Sequence, residues 1–145
     1  MPAMTGSFSG NIRLQTAISL PDQTNHSLSL AEISGTQKCS DEKWNNATIT
    51  YWGITDLTEG KGTQHGYFVN AHSESDRDWG TFEAKVTTTD GQTTVEGTWQ
   101  FTGGSGSFRG LTGDGTFKTR VTSATELEGS WQGAYELAAA KAQAG

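Results

Sequence analysis

The chain has 145 residues, one domain's length, and its 22 threonines and 19 glycines against two prolines favour short strands and tight turns over helices. A formal charge of −6, with ten Lys and Arg scattered singly, leaves no basic footprint for nucleic acid or for an anionic membrane. Cys39 is alone, which excludes an internal disulfide and a thiolate metal site, and no run is long and apolar enough for a membrane-spanning helix.

Alternating apolar and polar residues, bounded by Gly, Asn, Asp and Ser, predict eight strands at about 6–18, 26–34, 46–53, 63–72, 79–88, 92–102, 107–121 and 124–138. In the first, Phe8, Gly10, Ile12 and Leu14 share one face, taken as the interior. In the second, the apolar parity of Leu28 and Leu30 also carries His26 and Glu32. An inward carboxylate is costly unless it is paired or protonated, so Glu32 is either a solvated residue at a mouth or a perturbed acid in a pocket. His26, at the strand's start, reads as a rim residue.

Tyr51 in the third strand follows Ala47 and Ile49, and Tyr67 in the fourth keeps step with Val69 and Ala71, so both hydroxyls are expected to point inward. The opposite phase of the fourth strand holds Phe68, Asn70 and His72, which leaves that strand ambiguous. Phe82, Ala84 and Val86 of the fifth strand oppose Glu83 and Lys85. In the sixth, Val95, Gly97, Trp99 and Phe101 oppose Glu96, Thr98 and Gln100. Phe117, Thr119 and Val121 line the seventh, and Leu127, Gly129, Trp131, Gly133, Tyr135 and Leu137 the eighth.

Thr89-Asp90-Gly91 is a hairpin signal. Thr81-Phe82 leading to Glu96-Gly97-Thr98-Trp99-Gln100 recurs as Thr116-Phe117 leading to Glu128-Gly129-Ser130-Trp131-Gln132, one hairpin written twice. Eight such strands remove their edges best by closure, so the fold class is all-β: an eight-stranded antiparallel up-and-down β-barrel over residues 1–138. The Ala-rich residues 139–145 read as a short C-terminal helix or a tail.

Several apparent motifs dissolve on inspection. The glycines of 103–115 have strands on both sides and no Lys-Ser/Thr pair, so they mark a tight turn and a bulged strand, not a phosphate loop. Asp76-Arg77-Asp78 lacks the later ligands of a calcium loop and reads as a solvated turn. The histidines at 26, 65 and 72 have no zinc spacing. No metal or cofactor is expected.

The run Gly103-Gly104-Ser105-Gly106-x-Phe108-Arg109-Gly110-x-x-Gly113, followed by a Thr/Phe strand, resembles a segment of plant dirigent proteins and allene oxide cyclases and of their bacterial relatives. Gly60-Lys61-Gly62…Gly66-Tyr67 and Trp131-Gln132-Gly133 extend the likeness over residues 60–135. The resemblance implies an eight-stranded barrel, usually trimeric, with an apolar central cavity in which a reactive lipid epoxide is cyclised or phenoxy radicals are coupled. Glu32 is the nearest analogue of the cyclases' glutamate on an early strand, and no counterpart of the dirigent Asp and Arg set is placed.

The functional expectation is a cofactor-free barrel binding a small apolar or aromatic molecule in its lumen. Trp99, Trp131, Tyr135, Phe82, Phe101 and Phe117 would form the wall. Glu32, Tyr51 and Tyr67 would supply the polar or catalytic contacts if the guest is isomerised or cyclised. Two alternatives stand beside it: a non-catalytic carrier of lipocalin type, and a barrel filled by its own rings that acts through an oligomer surface. A homo-oligomer, trimer or dimer, is expected from the resemblance. A cytoplasmic location is expected, since the N-terminal sequence reads as no secretory signal, with a mature secreted chain as the alternative.

Overall fold

In the computed structural model, which describes residues 3–137, eight antiparallel strands close into a barrel in chain order. They are β1 (Ala3–Leu20), β2 (His26–Cys39), β3 (Thr48–Thr58), β4 (Lys61–Ala71), β5 (Arg77–Thr89), β6 (Gln92–Ser105), β7 (Leu111–Val121) and β8 (Glu126–Leu137), and β8 pairs back onto β1. The all-β up-and-down barrel expected from the alternation is therefore the observed fold. The expected C-terminal helix or tail, 139–145, lies outside the described residues.

Turn chemistry sets the register. Asp90 (φ 53°) and Gly91 (φ 79°) are both left-handed, the two-residue type I′ corner that matches strand twist, and Thr89 pairs with Gln92 across it. Glu59 and Gly60 (φ 52° and 83°) make the same corner between β3 and β4. The glycine-rich segment differs from the sequence reading. β6 runs on to Ser105, residues Gly106–Phe108 form one 3₁₀ turn, and β7 starts only at Leu111.

The duplicated hairpin is structurally real. Phe82 lies opposite Trp99 across β5–β6, and Phe117 lies opposite Trp131 across β7–β8, all four on the inner face. Glycines make room for these rings: a Cβ at Gly115 or Gly133 would stand 2.5 Å from Cζ2 of Trp99. Alternating large and small inward residues is how a barrel of this size fills its taper.

Three strands depart from the expected sidedness. In β1, Arg13 is an extra residue: Ile12 pairs with Ile33 but Leu14 pairs with Glu32, so a bulge flips the parity and Leu14 is 58% exposed. In β2 the inward set is the small and polar phase that leads into Ile33, Gly35 and Gln37. Leu28 and Leu30, expected inside, lie outside. In β4 the ambiguity resolves toward Phe68 and Asn70 inside and Tyr67 outside.

A polar-capped lumen as the candidate functional site

One end of the barrel is closed by residues that are distant in sequence. The 40–47 connection folds over the end and inserts Trp44, 1% exposed, against Tyr135, Phe108 and Phe101 at ring-centroid distances of 4.8, 5.4 and 5.8 Å. Phe108, from the 3₁₀ turn, stacks on His72 at 4.1 Å.

Beneath this plug runs a buried polar chain. Gln37 Nε2 donates to Asn70 Oδ1 at 2.7 Å, and Asn70 Nδ2 donates to Asp78 Oδ1 at 2.8 Å. Asp78 Oδ2 accepts from Trp44 Nε1 at 2.9 Å and lies 2.7 Å from His72 Nε2. Asp78 has no exposed surface at all, so the expectation of a solvated turn at 76–78 does not hold for it. Its carboxylate is tolerable there because three donors converge on it. A second clasp joins the plug to β8: Tyr135 Oη donates to Asp41 Oδ2 at 2.6 Å. Desolvation, and then the Asp41 carboxylate, push the Tyr135 phenol up to about 12. Burial alone would raise the Asp41 carboxyl, but the hydrogen bonds from Tyr135 and from the Lys43 amide hold it below the ordinary range.

Below the plug lies a cavity of about 70 Å³. Of the expected wall, Trp99, Trp131, Phe82, Phe101 and Phe117 line it, joined by Phe8, Ile49, Phe68 and Trp44. Tyr135 does not: its ring belongs to the plug. Gln37 and Asn70 bring the polar chain to the cavity's edge, and Thr119 adds a hydroxyl.

The three residues expected to carry polar contacts part company. Tyr51 is inside, 8% exposed, with its ring edge-on to Phe8 and Phe82 at 6.0 and 5.7 Å. Its hydroxyl meets no hydrogen-bond partner among the described residues, and burial drives its pKa well upward, so it stays a protonated donor. Trp131 Nε1 is buried and equally unpartnered. Glu32, by contrast, lies on the outer face, accepting a 2.8 Å hydrogen bond from Trp52 Nε1. Tyr67 is also outside and 65% exposed. Their inward placement is corrected for the same reason as that of Leu28 and Leu30: both outer phases look apolar in sequence, and closure puts the other phase inside.

Sequence reasoning passed over Trp44 and Gln37, left Asn70 in an ambiguous phase and read Asp78 as part of a solvated turn. The one usable signal was polar residues in phase with an inward ring, Asn70 following Phe68 and Gln37 following Ile33. Nothing local marks Trp44, which sits in a connection. Among the described residues no helix is long and apolar enough to cross a membrane. No protein-family model matches the chain, and neither a curated protein nor a solved structure matches it.

Proposed function

We propose that the barrel binds one compact, largely apolar molecule carrying a hydrogen-bond acceptor, held in the aromatic lumen with the acceptor toward the Tyr51 hydroxyl. The carrying observation is a lumen-lining residue, Tyr51, whose hydroxyl has no partner among the described residues, in a cavity walled mostly by rings with Gln37, Asn70 and Thr119 at its edge; the buried Trp131 indole N–H is a second donor without a partner. A donor shut away from water without an acceptor costs up to about 1–3 kcal/mol, and a guest oxygen within reach of the Tyr51 hydroxyl gives that donor a partner. The cavity's about 70 Å³ is near half of the roughly 150 Å³ apolar cavity that takes benzene, so the guest is small or one wall ring turns to admit it. This is the lumen-binding role implied by the likeness to the cyclase and dirigent barrels, without their chemistry. With Glu32 and Tyr67 outside, no carboxylate base reaches the lumen from the expected set, and Tyr51 offers hydrogen-bond donation to a carbonyl.

Cyclopentanone and its acceptor-free isostere methylenecyclopentane test this by quenching of tryptophan fluorescence. The ketone is expected to quench saturably, Tyr51→Phe to weaken it about tenfold, and the alkene to bind no better to the wild type than to Tyr51→Phe. No saturation by the ketone, or unchanged affinity in Tyr51→Phe, overturns the proposal.

The small size of the cavity favours one second reading. The rings largely fill the lumen, and the barrel then serves as a scaffold whose activity lies on its outer surface.

A further inference from the structure

The outer surface is strongly asymmetric. β5–β8 present Glu83, Lys85, Glu96, Lys118, Arg120 and Glu128 to solvent, with Lys118 paired to Glu96 and Arg120 to Glu128. Among the described residues, Trp79 of β5, 39% exposed, is the one large apolar side chain exposed on these four strands, so no apolar band girdles the barrel as a lipid-spanning barrel requires. The outer face of β1–β4 is the reverse. Leu14, Ile18, Leu28, Leu30, Ile54 and Tyr67 are 58, 59, 38, 48, 38 and 65% exposed. The strand registers make them contiguous. One row runs Leu14, Glu32, Trp52, Tyr67; the next Thr16, Leu30, Ile54, His65; the next Ile18, Leu28, Asp56.

The patch sits partly on strand that barrel closure does not use. β1 leaves β8 after Asn11, and past Ile12, whose amide still donates to the Thr125 carbonyl, it pairs only with β2 as far as Leu20. This free part of β1 is the edge of a sheet that continues through β2, β3 and β4, and its Leu14 and Ile18 side chains lie on the outer face. Its apolar side gains only from something packed against it.

We infer that the outer face of β1–β4 is the contact surface of a two-fold dimer, its occupant a second copy of this chain. The face is large enough to pair with a copy of itself. The six exposed apolar side chains alone offer about 600 Å², and a subunit in a standard interface contributes about 800 Å², so this patch with its rim is of dimer size. A two-fold contact sets a patch against itself, so the patch must hold both donors and acceptors. Here the Tyr67 hydroxyl and the exposed His65 ring are carried by β4, two strands from the Glu32 carboxylate on β2, and Asp22, His26, Asp56 and Lys61 form a polar rim. A chain of net −6 whose patch contains Glu32 and is flanked by Asp22 and Asp56 suits its own mixed rim better than an anionic bilayer.

Sedimentation velocity of the full chain from about 1 to 100 μM decides the matter. The wild type is expected to shift from monomer to dimer across that range. Ile18→Glu and Leu30→Lys, each at the patch centre, are expected to raise the dimer dissociation constant at least about a hundredfold, with near-UV circular dichroism unchanged. Thr98→Lys, on the outer face of β6, should leave it unaltered. If either central variant fails to fold, Tyr67→Arg, at a side chain already mostly in water, takes its place. A wild type that stays monomeric at about 100 μM, or folded patch variants that dimerise as before, overturns the inference. Monomeric protein that co-sediments with phosphatidylcholine vesicles overturns it as well and gives the face to lipid. Because Tyr51 and the lumen are untouched by these variants, failure here is separate from failure of the ligand proposal.

Discussion

Replacing Trp44 by phenylalanine isolates the hydrogen bond that ties the end plug to the barrel. The indole N–H donates at 2.9 Å to Asp78, a carboxylate with no exposed surface, so its loss leaves a buried anion with one donor fewer. A hydrogen bond to a charged group contributes about 1.5–3 kcal/mol. The smaller ring also leaves a void on the order of 40 Å³, which at about 24 cal/mol per Å³ adds about 1 kcal/mol. The expected total is about 3 kcal/mol, read as a lower urea midpoint at unchanged slope. A double-mutant cycle with Asp78→Asn should return a coupling of about 1 kcal/mol or more, since the two residues share one contact. A loss below about 0.5 kcal/mol, or additive effects, would refute the reading of Trp44 as a hydrogen-bonded latch and leave it a mere filler.

Two further outcomes follow from particular contacts. His26 lies 2.6 Å from both Asp22 Oδ1 and Asp56 Oδ1, and these carboxylates, Asp22 first, raise its pKa above the ordinary 6.5. The raised value means that the clamp stabilises the fold fully below pH 6.5 and weakens as pH rises through the folded-state pKa. His26→Gln should flatten that decline, and an NMR titration that puts His26 at or below 6.5 would contradict the clamp. In the wall, Gly115→Ala would place a Cβ 2.0 Å from the Gln132 carbonyl oxygen and 2.5 Å from Trp99 Cζ2. The expected cost is about 3 kcal/mol by urea unfolding, and a change within about 0.5 kcal/mol would show that Trp99 does not rest on that glycine.

The legible part of this barrel is its second half. In β5–β8 the ring-bearing phase faces charged residues across the strand, Phe82 against Glu83 or Phe117 against Lys118, so hydropathy alone decides which side goes in. In β2 and β4 it could not decide. Leu28 and Leu30 are more apolar than Ser29 and Ala31 yet face outward, and Tyr67 competes with Phe68. The patch that misled the assignment is the same one inferred to be covered by a second copy. The lumen wall was mostly legible for the first reason. Its polar cap was not, because Gln37, Asn70 and Asp78 look solvated until they are brought within hydrogen-bond reach of one another.

By itself the sequence determined the class, the strand count, the Asp90-Gly91 corner and the paired Phe/Trp hairpins, all consequences of period-2 alternation and local turn chemistry. Only the tertiary structure decided which face of β1, β2 and β4 is interior, and that Trp44 and Asp78 cap the lumen while Glu32 stands outside it. Alternation distinguishes two faces without saying which one closure turns inward. One extra residue, Arg13, then exchanges them along the rest of β1.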